Sequence, residues 1–366
     1  MLACTSSKNK IEVEKSEEVI VRVCLIRNSI QIYYSCPNPF VGLMDSDELS
    51  TCGNNLQKIP EGLLQDWMKN LPEQVKQLPL ASLAIPGSHD SAAYYLDKKL
   101  PLHPFHHNLF VRTLTSLPFA RGFARKWAIT QNLTIKRQLE HGIRYFDFRV
   151  VVCPVTGNFR FCHALYGKEI GQDLEDIAQF AANHPQEVLL LDFNHLYGFA
   201  NEEKFEQLIT IVTSYFPGKI WSIEDSEKTK IETITISEIL AKNRQILLFA
   251  KLLFNKTFPQ VLPTKVLRSY WPNKNKKESV NQFNFNTLKS KDVNQMSVIQ
   301  CIMTPRMENV ISPRNRSLYR YEKKLMQDLP EWLDKTRSSG LKPNIIIADF
   351  IGENTFVANV IAYNER

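Results

Sequence analysis

From Leu63 onward the chain alternates short β-rich apolar runs with amphipathic stretches, and this alternation limits its fold more than any other feature. It is the pattern of parallel strands joined by helical crossovers. The candidate strands are Leu83 to Pro86, Tyr145 to Val152, Arg160 to His163, Val188 to Phe193, Gln245 to Ala250, Val266 to Trp271, Val298 to Met303 and Asn344 to Phe350. The helical patterns are Thr134 to His141, Gly171 to Asn183, Glu203 to Tyr215, Ser237 to Ala241 and Leu318 to Lys335. In the last, Leu318, Tyr321, Leu325, Leu329 and Trp332 recur at helical spacing, with Pro330 predicted to bend or cap it. Eight β runs with few full crossovers predict an α/β protein, a distorted (β/α) TIM-type barrel in one catalytic domain. A doubly wound open sheet alternates similarly, so a second criterion is needed. In barrels the chemistry gathers at the C-terminal ends of the strands.

With 366 residues, the chain is long enough for one large barrel. No linker divides the region from residue 59 to 366. Residues 1 to 58 differ from it, with a polar start, one β-like stretch (Val19 to Tyr34) and the turn-rich Cys36-Pro37-Asn38-Pro39. They are expected to form an appended, partly mobile segment without visible chemistry. No run of 18 apolar residues exists to span a bilayer. Seven cysteines form no CxxC pair and the start lacks a secretory leader pattern, which predicts reduced thiols in a cytoplasmic protein. Cys153 and Cys162, in apolar runs, read as packing residues.

The charge balance, 45 basic against 38 acidic residues, favours an anionic partner. Thr264 to Lys291 alone holds seven Lys or Arg against one Glu, predicting a solvated basic loop or a membrane-facing one.

Polar residues do gather at the strand ends. The first strand runs into Gly87-Ser88-His89-Asp90-Ser91, the second carries Asp147 and Arg149, and the third ends in Cys162-His163-Ala164. The fourth runs into Asp192-Phe193-Asn194-His195 and the last into Ala348-Asp349-Phe350. Charged groups inside buried strands are costly unless paired. Singly, each has a structural reading: His163 as a hydrogen-bonded histidine, Asp147 and Arg149 as an ion pair on one strand face, Asp349 as a loop cap. Asp192 is expected to fix backbone N–H groups, and His195 stays open between structure and catalysis. His103, His106 and His107 resemble a metal cluster but have no carboxylate motif beside them. Ser88 and Ser91 lack the G-x-S-x-G elbow of a serine nucleophile. Together, two His at separate strand ends, each able to pair with an Asp, plus one Arg suit acid–base work on a phosphate ester. Such a site needs no metal.

Leu80-Ala81-Ser82-Leu83-Ala84-Ile85-Pro86-Gly87-Ser88-His89-Asp90-Ser91, Arg144 to Arg149, and Cys162 to Gly167 resemble the X domain of phosphatidylinositol-specific phospholipase C. The closer resemblance is to short eukaryotic X-domain-containing proteins that lack accessory domains. Trp67 to Pro72 and Asn344 to Gly352 also resemble that group, and the likeness runs roughly from residue 63 to 363.

The resemblance implies a distorted barrel that cleaves phosphatidylinositol to diacylglycerol and a cyclic inositol phosphate. It implies His89 as general base, Asp349 as its orienting carboxylate, His163 as general acid and Asp90 as its partner. Arg149 matches the phosphate-binding position, and Asp147 the acidic strand position. Calcium-dependent relatives have Asn after the first His and two carboxylates on the second strand. Here Asp90 and Arg149 stand instead, so calcium-independent chemistry without a cofactor is expected. Ala164 replaces a customary Gly, and if that backbone needs positive φ the methyl would disturb His163.

Three readings follow. The first is a monomeric phosphodiesterase, docking on phosphatidylinositol-containing membrane through its barrel rim, with Phe254 to Trp271 as the expected contact. The second is a catalytically weak or inactive phosphoinositide-binding module. The third, nucleic-acid binding through Lys265, Arg268, Lys274, Lys276 and Lys277, rests on charge alone and is not expected.

Overall fold

The computed structural model describes residues 64–97, 99–100, 118–226, 231, 233–353 and 355–364, and the backbone of strands within 20–26 and 29–35. Strands β1 (Ile20–Ile26) and β2 (Ser29–Ser35) form an antiparallel hairpin where the β-like stretch was read.

The larger body opens with a short helix α1 (Glu73–Lys76) and strand β3 (Ile85–Ser88). Helices α2 (Pro118–Ala128) and α3 (Ile135–Glu140) lead to β4 (Tyr145–Val152) and the hairpin β5 (Phe159–His163) and β6 (Leu165–Glu169). Then come α4 (Ile170–Asn183), β7 (Leu189–Tyr197), α5 (Glu202–Ser214), α6 (Ile236–Ala241) and β8 (Ile246–Ala250). The chain continues through β9 (Leu262–Pro263), β10 (Arg268–Tyr270), α7 (Lys277–Ser290), β11 (Ser297–Cys301) and α8 (Met307–Ile311). It ends in α9 (Leu318–Ser338), β12 (Ile345–Ala348) and α10 (Phe356–Ile361).

The barrel staves pair in the order β10-β11-β12-β3-β4-β7-β8-β9, every pair parallel. Among the described residues β9 and β10 are not bonded to each other, so the sheet curls without closing. This is the expected distorted (β/α) barrel. Its central staves are buried end to end because helices cover their outer faces, which is why they read as continuous apolar runs. Staves also pack closely: a Cβ on Gly87 would lie 2.8 Å from Ile347 Cγ2 and Tyr145 Cδ1.

Three expectations are corrected and one is narrowed. Arg160 to His163 is not a stave, because β5 pairs antiparallel with β4 and turns back into β6; the short β9 takes its place. Val266 to Trp271 does hold a stave, narrowed to β10 behind the 3₁₀ turn Thr264–Val266. The basic run is not a continuous loop, since Lys277–Ser290 forms α7 with Val280, Asn284, Thr287 and Leu288 buried. α9 passes through Pro330 without ending, its N-terminus capped by Ser317.

At the N-terminal end of the barrel, Arg144 is fully buried. Its Nε donates to Glu187 at 2.8 Å, and Nη1 donates to the carbonyls of Ile143 (2.8 Å) and Leu139 (3.0 Å). Glu187 also accepts from the backbone N–H groups of Met68 and Lys69, so the pair ties the entry segment beneath the staves. Replacing Arg144 by Met strands a buried carboxylate. It is expected to cost about 3–5 kcal/mol, read as a lower urea midpoint without loss of the folded baseline.

Candidate active site

The strands turn sharply as they leave the barrel top. Asp90, two residues beyond β3, has φ 41°, and Phe350, two beyond β12, has φ 50°. The carbonyls thereby exposed are held from the side. Thr130 Oγ1 donates to the carbonyls of His89 (3.2 Å) and Asp90 (3.1 Å), and Gln131 Nε2 to those of His89 (2.8 Å) and Ala348 (3.0 Å). Ser88 and Ser91 bond each other and Gln138, and the Asp147 N–H donates to Ser91 Oγ, so both hydroxyls brace the turn.

Four of the sequence-predicted residues, His89, His163, Arg149 and Asp147, stand around a fifth, Asp90, and the sixth, Asp349, lies behind His89. Asp90 Oδ2 lies 3.3 Å from His89 Nε2 and 3.2 Å from His163 Nε2, and Oδ1 contacts Arg149 Nε. Neither Asp90 oxygen nor Arg149 Nε makes an aligned hydrogen bond, so charge rather than geometry holds them. Arg149 Nη2 also lies 3.3 Å from His89 Nε2. Asp147 does not face an imidazole. Its oxygens accept from the Asp90 N–H (3.1 Å) and from Asn194 Nδ2 (2.6 Å).

Both imidazoles are anchored from behind. His89 Nδ1 meets Asp349 Oδ1 at 2.8 Å, and His163 Nδ1 meets the carbonyl of Ala128 at 2.6 Å. A carbonyl only accepts, so His163 carries its proton on Nδ1 when neutral, and Nε2 donates only as imidazolium. The ring centroids stand 6.3 Å apart, nearly perpendicular at 76°.

The electrostatics separate the two rings. Burial alone would depress the His89 pKa, but Asp90, then Asp349, outweigh it and raise it to about 9. For His163 burial wins, Arg149 adding to it against Asp90, and the pKa falls below the usual 6.5. Burial would raise Asp90, yet Arg149, then His163 and His89, hold it at about 2.

A bulge between β4 and β7 shapes the next ring of residues. Asp147 pairs with Asp192, but Arg149 pairs with His195, one position further on. Asn194 therefore bonds Asp147 and Asp192 together, while His195 faces the cavity, its Nδ1 against Asn194 Oδ1. Asp192 does not fix backbone N–H groups as expected; it accepts from Tyr145 Oη (2.6 Å) and Asn194. Burial, then Asp147, push its carboxyl up to about 7. His103, His106 and His107 lie outside the described residues.

His89, His163, Arg149, His195 and Asp349 line a cavity of about 390 Å³ together with the apolar side chains of Trp127, Ile302, Met303, Pro305, Leu318 and Trp271. Nothing in the sequence pattern marks Trp127 or the Ala128 carbonyl, which reach the site only through the placement of α2. Nor did it show Glu322, buried on α9, whose Oε1 accepts from the Met303 N–H at 2.8 Å. Burial and the nearby Asp349 raise its carboxyl well above the usual range.

Oxygen and nitrogen atoms of His89, Asp90 and Asp147 lie within 4.8 Å of one another, the spacing of a possible cation cage. The donors do not fit one. Both Asp147 oxygens already accept hydrogen bonds, and Arg149 occupies the cation position on Asp90.

The chain is 32% identical over 308 residues to PI-PLC X domain-containing protein 2 of Mus musculus, covering 82% of this chain and 87% of that one. It is 35% identical over 248 residues to the Homo sapiens protein of that name, covering 67% and 79%. The chain belongs to the PI-PLC X domain-containing protein family. No family model matches it. Among solved structures it is similar in fold to phosphatidylinositol-specific phospholipase C of Listeria monocytogenes, with a TM-score of 0.59 at 19% identity, covering 82% of this chain and 98% of that one. The Staphylococcus aureus enzyme gives 0.57 at 18%, covering 82% and 97%. Family membership and the barrel agree with the resemblance read from the anchor motifs.

Ala164 is the one-residue turn between β5 and β6, with φ 60°. The condition for strain at this position is therefore met. Ala164→Gly removes a left-handed alanine and is expected to stabilise the fold by about 1 kcal/mol, read as a higher urea midpoint at unchanged slope.

Proposed function

We propose that this protein is a phosphodiesterase that cleaves phosphatidylinositol to diacylglycerol and a cyclic inositol phosphate. Residues 59–366 are its catalytic unit and residues 1–58 an appended segment. The observation that carries this reading is the convergence of two imidazole Nε2 atoms and one guanidinium on a single anion position, now taken by Asp90.

In the reaction, Arg149 binds the non-bridging oxygens of the substrate phosphate and offsets their charge as it grows. His89 Nε2 takes the proton of the inositol 2-hydroxyl while that oxygen bonds to phosphorus. The bond from phosphorus to the glycerol oxygen breaks, and His163 Nε2 supplies the proton the leaving oxygen needs. Asp349 and the Ala128 carbonyl hold each ring by Nδ1, fixing which nitrogen reacts. No step passes through a metal. The family names and the barrel likeness support the substrate class.

Phosphorus NMR of the protein with short-chain phosphatidylinositol in EDTA is expected to show the cyclic product. His89→Leu should reduce turnover by about 10²–10⁴-fold. Product appearing only with added Ca²⁺ would overturn the metal-free site. Headgroup binding without product in either condition would assign a binding module, for which the strained Ala164 beside His163 is the favouring observation.

The same pair sets the expected pH dependence. The pair works only with one proton between its two rings, so kcat/KM should rise through the depressed pKa of His163 and fall through the raised one of His89. The alkaline limb is therefore expected near pH 9. Asp349→Asn removes a negative charge from His89 and should move that limb to lower pH. An unmoved limb would disconnect Asp349 from the base.

A further inference from the structure

Pro305 and Leu318, at the two ends of the loop after β11, both line the cavity, and residues 306–317 connect them without lining it. Within that loop, α8 exposes Met307 (54%) and Ile311 (72%). The loop after β10 begins at Trp271, which lines the cavity and is 53% exposed.

Three contacts join the two loops. Trp271 Nε1 donates to Thr304 Oγ1 (3.1 Å), the Thr304 N–H to the Lys274 carbonyl (2.7 Å) and Asn275 Nδ2 to Glu308 (3.2 Å). The joined surface carries exposed Lys274, Lys276, Arg306, Arg314 and Arg316. Its one carboxylate, Glu308, is engaged by Asn275.

An apolar tip with basic residues around it is unfavourable facing water. It matches the boundary between acyl chains and anionic headgroups, where side chains such as Met, Ile and Trp insert and cations meet phosphate. We infer that the linked loops 271–276 and 304–316 form a docking platform for an acidic phospholipid surface, which seats the cavity mouth on the bilayer. The inference rests on the lipid substrate proposed above and names the surface through which that substrate is reached. It moves the contact from Phe254 to Trp271, expected from sequence, to a rim that shares only Trp271 with that stretch.

The test is flotation of the full chain with phosphatidylcholine vesicles, with and without phosphatidylserine, at low and high salt. Binding is expected only with phosphatidylserine and should weaken as salt rises. Each cation near such a surface contributes about fivefold to partitioning, so Lys274→Gln with Arg314→Gln should weaken binding roughly 25-fold. Met307→Ser with Ile311→Ser should also release the protein. Neither pair lines the cavity, so turnover of monomeric short-chain phosphatidylinositol should stay unchanged while turnover on vesicles falls. Equal binding to phosphatidylcholine alone, or unaltered flotation of both variants, would overturn the platform. Duplex DNA that displaces the vesicles at physiological salt would assign the surface to nucleic acid instead. Because flotation needs no turnover, loss of the lipase reading and loss of the platform are separately visible.

Discussion

The site is organised by one buried carboxylate. Asp90 sits below the surface with no aligned hydrogen bond, and an unpaired charge there would be prohibitively expensive. Arg149 and the two imidazoles make it tolerable: Arg149 from within β4, His89 from just past β3 and His163 from the end of β5. Asp90 thus fixes where β3, β4 and the β5–β6 hairpin must deliver their side chains. Removing any one partner leaves the rest unbalanced, which couples the hairpin to the staves although it is not itself a stave.

The same pairing prepares the site for an exchange. Aligned hydrogen bonds to Asp90 would have to be broken before another anion could enter. Ion-pair contacts without alignment can be shared, so a phosphodiester can recruit Arg149 and both Nε2 atoms while Asp90 remains their neighbour. The rigid part of the arrangement lies behind the rings, at Asp349, the Ala128 carbonyl and the Thr130–Gln131 clamp. Backbone strain gathers here too, at Asp90, Ala164 and Phe350, each with positive φ beside a site residue.

What could be read from the sequence follows the same division. Stave positions were legible because burial on both faces demands continuous apolar runs; Tyr145–Val152 matches β4 residue for residue. The strand-end His, Asp and Arg were legible because buried charge needs a reason. The hairpin was misread because β5 has the composition of a stave, and only its antiparallel register with β4 distinguishes it. Asn194 and His195 could not be placed, since the bulge that turns both toward the site is a one-residue slip in register that composition does not mark. Glu322 was hidden inside an amphipathic helix pattern, where a single polar residue on the apolar side reads as noise. The Ala128 carbonyl escaped notice because every residue has one, and only the placement of α2 against His163 gives it a role.

The proton inventory links this geometry to the proposed reaction. With His89 raised and His163 depressed, the single proton of the resting pair sits on His89. Cyclisation needs the opposite arrangement, a neutral His89 and a protonated His163, so it starts from a minor form of the correct proton count. It also ends with the proton on His89, which is the resting state. Opening the cyclic phosphate by water reverses the roles, with neutral His163 taking a proton from water and His89 returning one to the inositol oxygen. That second step starts from the major form. An incoming phosphodiester adds negative charge beside both rings and favours their protonated forms, that of His163 included. In the proposed reaction the first step therefore relies on the substrate's own charge to help put a proton on His163, whereas ring opening can start from the resting arrangement.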